Sequence, residues 1–320
     1  MFLVCAFVLG WIVKPGSKPT QNSQQTSDAP SSITAMLKQK AAPGRALQAV
    51  AALEEYVEDG KLSKESVSAA VLAMQGERDL LKQSAMFMAL LDRLTAENAE
   101  AMFLALSDGG SGEQRQLFLN AWGRIDGLNA IKILTERAAA DHARGAGIQG
   151  DGRSLHQMHS VMNGWATSDP HTATRYVDGL SQPHEKRVLT LGLLKGLMVN
   201  GVDQAVGFVG QLPEDDQSRD AYMSMIAGDV LKAGVPGSVA WVDALPIDLK
   251  GGALTEVTKQ FVREDLPAAK AWVGLYVDQD YAQEAVTAVA NHWAEVDPQA
   301  VIEWADQMTA KLSWKFSKTR

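Results

Sequence analysis

Five residues in one stretch carry the side chains of a metal site: Asp141, His142, Asp151, His156 and His159. Imidazole nitrogens and carboxylate oxygens are ligands of zinc, copper and iron, and a His-x-x-His pair one helical turn apart is an acceptable chelate. The competing reading is that His156 and His159 open a helix on its solvent face, where polar residues are expected and no ligand role follows. The same stretch spells Gly145-Ala-Gly147-Ile-Gln-Gly150, the G-x-G-x-x-G of a dinucleotide-binding turn. That turn requires a preceding strand and a helix opening on its third glycine. Here AAADHAR precedes and DGRS follows, so the glycines read as a flexible surface loop. The carboxylate pairs Glu54/Glu55, Asp215/Asp216 and Asp278/Asp280 fall in turns or on solvent faces, where adjacent acids serve capping and solubility. No G-x-S-x-G, H-E-x-x-H or P-loop occurs, and the single cysteine, Cys5, precludes an intramolecular disulfide and a cysteine-based zinc site. No catalytic or cofactor-binding residue is therefore assigned, and the five residues at 141–159 stand as the candidates for a metal.

What surrounds them is ordinary for a folded body: 320 residues, 46% apolar and 21% charged, with a formal net charge of -8. The acidic balance argues against a nucleic-acid partner. Basic residues gather only at the end, where Lys311, Lys315, Lys318 and Arg320 make a tail that reads as a solvated terminus. At the other end FLVCAFVLGWIV, residues 2–13, is apolar but as a helix reaches only about 18 Å, too short to span a bilayer. It fits the apolar part of an export signal or a clipped anchor. Lys14 and Lys18 follow it and no basic residue precedes it, the reverse of ordinary export order. A start lying further upstream is the preferred explanation, and a cytoplasmic body behind an inverted anchor is the other. PGSKPTQNSQQTSDAPSS then has nothing to bury and reads as a flexible tether of about 25 Å.

The elements that would position any site emerge when the chain is laid on itself at a shift near 32. A large residue recurs at Met102, Ile133, Tyr176, Phe208, Trp241, Trp272 and Trp304, at intervals of 31, 43, 32, 33, 31 and 32. Three residues earlier the side chain is small: Ala99, Ala130, Ala173, Ala205, Ser238 and Ala269, then Val301. One residue later stand Phe103, Leu134, Val177, Val209, Val242, Val273 and Ala305. Spacings of three, four and seven describe one helix face. An earlier helix carries two more columns, Leu91, Trp122, Trp165, Leu197, Val230, Phe261 and Trp293, and, four residues before each, Phe87, Phe118, Val161, Leu193, Ile226, Val257 and Val289. Six of the eight tryptophans thus fall in core columns, leaving Trp11 and Trp314 outside. Asp169-Pro170 and Asp297-Pro298 have the chemistry of an N-cap followed by proline at the first helical position. Leu212-Pro213 and Leu245-Pro246 terminate second helices, and Gly201 and Gly234 mark first-helix exits. The long interval predicts an insertion of about eleven residues around Asp141 to Ser154.

The pattern predicts an all-α fold, an α-solenoid of about seven two-helix repeats with a period of about 32 residues. The predicted organisation is an apolar signal- or anchor-like segment at 1–13, a disordered linker at 14–33, N-terminal capping helices at 34–80, the repeat array at 81–310 and a basic tail at 311–320.

The Trp-Ala-x-x-Asp-Pro-x-x-Ala run, clearest at residues 165–173, with Leu-Pro closing the second helix, resembles a loose group of uncharacterised bacterial helical-repeat proteins, many with an N-terminal signal or anchor. Residues 293–304 depart from it, with Val301 at the small position. More distantly the chain is similar to tetratricopeptide arrays, whose period is nearer 34 and whose Tyr and Gly positions are not filled in order here. The resemblance implies architecture and a protein- or peptide-binding groove, at or beyond the bacterial membrane, and no site residues. Expected partners are therefore a protein or peptide in the groove, the membrane through residues 2–13, and a second copy through the C-terminal face, which no further helix covers.

Overall fold

The computed structural model describes residues 43–144 and 148–304. The regular structure there is helical apart from one hairpin, which confirms the all-α class. In chain order the elements are α1 (Pro43–Glu54), β1 (Val57–Glu58), β2 (Lys61–Leu62), α2 (Val67–Gly76), α3 (Leu80–Asp92), α4 (Ala99–Gly109), α5 (Gly112–Ala143), α6 (Ile148–Ser168) and α7 (Pro170–Asp178). Then follow α8 (Pro183–Asn200), α9 (Val202–Gln211), α10 (Arg219–Val230), α11 (Val235–Ala244), α12 (Lys250–Glu264), α13 (Leu266–Val273) and α14 (Gln283–Ala294), and residues 298–304 are again helical. Short 3₁₀ turns join α10 to α11, α11 to α12, and precede α14. The apolar segment 2–13, the linker and the basic tail lie outside the described residues, among which no helix is long and apolar enough to cross a membrane.

One position makes the corner between the two helices of each pair, and it recurs as Ser63, Thr95, Asp126, Asp169, Gly201, Gly234, Asp265 and Asp297. Each is a residue of a type favoured at helix N-termini, or glycine. A first helix ends with free carbonyls and the next begins with free N–H groups, so the corner must supply an acceptor or a backbone that lets the chain turn. Asp169 accepts from Thr172 N at 3.2 Å, Asp265 from Ala268 N at 3.0 Å and Asp297 from Ala300 N at 3.1 Å. Ser63 and Thr95 do the same with hydroxyls, from Ser66 N at 3.2 Å and Asn98 N at 3.3 Å. The aspartates share one conformation: φ/ψ is -153/66 at Asp126, -140/78 at Asp169 and -152/86 at Asp265. Gly201 (φ 137) and Gly234 (φ 103) turn the corner through backbone angles open to glycine alone. Leu212 and Leu245, each before its proline, leave the helix at φ/ψ -67/150 and -65/150.

Burial follows the columns, with one shift. Phe87, Phe118, Val161, Leu193, Ile226, Val257 and Val289 are all at most 3% exposed. The small residues from Ala99 to Ala269 are at 0%, and Phe103, Leu134, Val177, Val209, Val242 and Val273 at 3% or less. The bulky residue between them is less consistent: Met102, Phe208 and Trp272 are buried, but Ile133, Tyr176, Trp241 and Trp304 are half-buried. Ile133, Tyr176 and Trp241 still pack against the core, but from its flank. Small and following residues lie four apart, on one line down the helix, and the bulky residue stands about 100° round from the latter, on the flank. Trp241, Trp293 and Trp304 accordingly keep an exposed edge, while Trp122 and Trp165 are buried with Trp272.

Helices in extensive contact are close neighbours in the chain: α1 with α3, α2 with α4, α5 with α6, α6 with α8, α10 with α12 and α12 with α14. Several of these joints are backbone to backbone. A Cβ at Gly123 would lie 2.0 Å from the Val161 carbonyl oxygen, one at Gly164 1.9 Å from that of Asn120, and one at Gly252 1.8 Å from that of Asp220. The α10/α12 joint is also pinned by Gly252 N donating to Asp220 Oδ1 at 2.9 Å, and by an Arg219–Asp248 ion pair at 2.7 Å. Between α8 and α10 contact is sparse, and a cleft opens there.

One expectation holds and one is revised. The segment 112–143 holds the two expected helices, which meet at a kink at Asp126, where φ/ψ of -153/66 is non-helical and Gly127 follows in place of proline. The described residues of the insertion around 141–154 are largely helical: α5 runs on to Ala143 and α6 starts at Ile148, with 145–147 outside the described residues.

Candidate functional site

Of the five metal-type residues, the fold brings two together. His156 and His159 lie one turn apart on α6, their rings parallel (3°) with centroids 6.2 Å apart. His156 is exposed, but His159 turns into the joint with α8, correcting the reading that both lie on a solvent face. Its Nδ1 is buried without a hydrogen-bond partner. Burial first, then the Lys195 ammonium and His156, push its imidazole down to about 4. A neutral imidazole is a competent ligand, but a neighbouring ammonium disfavours a cation. Asp141 and His142 are exposed at the end of α5, and the Asp151 side chain lies outside the described residues. Among the described residues no three His, Cys, Asp or Glu groups are placed to hold a metal ion. In the G-x-G-x-x-G stretch, Gly150 lies inside α6 and 145–147 lie outside the described residues. α6 follows another helix, so the strand required by that motif is missing.

A polar cluster couples α11 to α13. Asp243 Oδ1 accepts from Trp272 Nε1 at 2.9 Å and Tyr276 Oη at 2.5 Å, and Lys250 donates to the Asp243 carbonyl at 2.8 Å. Burial and the carboxylate raise the Tyr276 hydroxyl's pKa, so the phenol stays protonated and keeps donating. The arrangement ties α11 to α13 and to the segment that follows it.

Two clefts remain. One, of about 620 Å³, lies beside the bend at Asp126, with Leu128, Lys132 and Tyr176 on its walls. The other, of about 530 Å³, lies where α8, α9 and α10 fail to close. It is lined by Phe208, Leu212 and Tyr222, by Lys186 and Arg187 from the first turns of α8, and by Asp216 on the connection before α10. Asp216 accepts from Ser218 N at 2.9 Å and Ser218 Oγ at 2.5 Å, and those bonds, helped by Lys186 and Arg219, hold its carboxyl below the ordinary range. Tyr222 is only 5% exposed as a whole residue, and its hydroxyl is not one of the buried polar atoms left without a hydrogen-bond partner. The sequence signal for this cleft was the Lys186-Arg187 pair, in a chain of net charge -8. Without a structure, nothing connected it to Phe208 or Tyr222. No family model, curated protein or solved structure matches this chain.

Proposed function

We propose that the chain is a non-enzymatic scaffold for a protein or peptide partner, built as an α-solenoid of about seven two-helix repeats and held at, or exported to, the bacterial envelope. The observation that carries this reading is the capped corner, recurring from Ser63 to Asp297, with helices that pack on their chain neighbours. Such a stack extends its surface with each unit and needs no single closed active site. Location rests on the apolar segment 2–13 and its tether.

Photo-cross-linking in the native cell tests the binding role. A benzophenone residue is placed at Leu104 or Leu128 on second helices, or at Leu117 or Val199 on first helices, all exposed by 41% or more. A partner held in a groove gives a defined adduct from one set of helices and not the other; adducts from neither set refute the scaffold. Fractionation of the same cells decides the location.

The runner-up is a metal-binding protein or metal-dependent hydrolase using residues 141–159, supported by the stacked His156 and His159. Less than about 0.1 equivalent of zinc, copper or iron in protein purified without chelators would end it.

A further inference from the structure

We infer that the cleft between α8, α9 and α10 captures a peptide chain end: a free C-terminal carboxylate together with an apolar last side chain. This rests on the scaffold reading and names where the partner is gripped. The cleft exists because α8 and α10 do not approach closely. At about 530 Å³ it lies within the range of small-ligand sites and is large for a single side chain.

Its chemistry selects the ligand. Lys186 and Arg187 set two positive charges against the single carboxylate of Asp216, leaving one unbalanced positive charge in a protein of net charge -8. Lys186 makes one long bond, to the Asp178 carbonyl at 3.4 Å. Arg187 makes no ion pair among the described residues, so its guanidinium fork is available to a carboxylate. Tyr222, which lines the cleft, adds a hydroxyl that can donate to a ligand acceptor. Phe208 and Leu212 supply an apolar lining. A monoanion matches the single surplus charge; a phosphate dianion would meet Asp216 with too few cations. A chain end fits better than an internal acidic residue, because its carboxylate and its apolar side chain branch from one Cα and can meet the cations and the apolar lining of one small cleft.

The test uses the full chain and three probes: acetyl-Ala-Ala-Ala-Phe with a free carboxylate, the same peptide as its amide, and inorganic phosphate, each titrated by ¹H–¹⁵N NMR. The free acid should shift resonances of α8 to α10 and bind at least tenfold more tightly than the amide. The K186Q/R187Q double variant should lose at least tenfold in affinity. Y222F should lose several-fold, with the circular dichroism of each variant unchanged. Equal binding of acid and amide, equal binding of phosphate, or wild-type affinity in both variants would overturn the assignment. If the variants bind no chain end yet still form the helix-specific cross-links of the native partner, the scaffold stands and the cleft is not where that partner is held. If the acid does not bind to wild-type protein, the inference fails, and the cross-linking result alone decides the scaffold.

Discussion

Replacing Gly164 by alanine should weaken the protein, although helix propensity alone predicts the opposite. The new Cβ would stand 1.9 Å from the Asn120 carbonyl oxygen, where ordinary contact begins at 3.4 Å, so α6 would have to retreat from α5 by roughly the 1.5 Å difference. The obstacle is backbone, which cannot swing aside as a flexible side chain would. Overpacking of this kind costs about 1–3 kcal/mol. The upper end applies here, because retreat also loosens Phe118, Trp122 and Val161, which are fully buried in the same joint. Alanine recovers about 1 kcal/mol of helix propensity, leaving a net loss of about 2 kcal/mol. Gly207→Ala in α9 is the internal control: nothing lies within 4 Å of its added Cβ, so it should gain about 0.5–1 kcal/mol. Urea unfolding by circular dichroism gives both values, and amide exchange along α5 and α6 shows whether the loss is local. A Gly164→Ala protein as stable as the parent would refute the backbone-contact account of that joint.

Two further tests address the corner and the buried imidazole. Asp265→Ala removes the acceptor for Ala268 N and should cost about 1 kcal/mol in urea unfolding, whereas Asp265→Asn should restore most of it. His159 has an unfolded value of 6.5 and a folded value of about 4, so the unfolded chain binds the proton first. Stability should therefore fall as pH drops through that window, by about 1–2 kcal/mol after allowing for the ring's partial exposure; the pH dependence of His159→Gln should be flatter by the same amount, and an unchanged slope would refute the linkage.

Periodicity made the helices legible, because burial on a helix repeats every three to four residues whatever the neighbours are. It did not locate the centre of the buried face: Tyr176 and Trp241 are larger than Val177 and Val242, and size drew attention to the flank. The corner column was readable at Asp169, Asp297, Gly201 and Gly234. It was less obvious at Ser63 and Thr95, where a hydroxyl replaces the carboxylate, and at Asp126, where glycine follows in place of proline. Asp59-Gly60, with φ 50 and 75, carried a tight-turn signal, but two-residue strands are too short to show alternation. Gly123, Gly164 and Gly252 could not be assigned to interhelical contact, since a glycine's role there depends on what faces it. The cleft was illegible for the same reason: Lys186 and Tyr222 are 36 positions apart in the sequence, and only the spacing of α8 from α10 makes them neighbours.

That spacing has a mechanical meaning. Where backbones touch through glycine, a joint can neither compress nor shear without collision, so α5, α6 and α8 move together, as do α10 and α12. Compliance is then concentrated at the α8/α10 junction, and a ligand wedged there would set the angle between the two stiff halves.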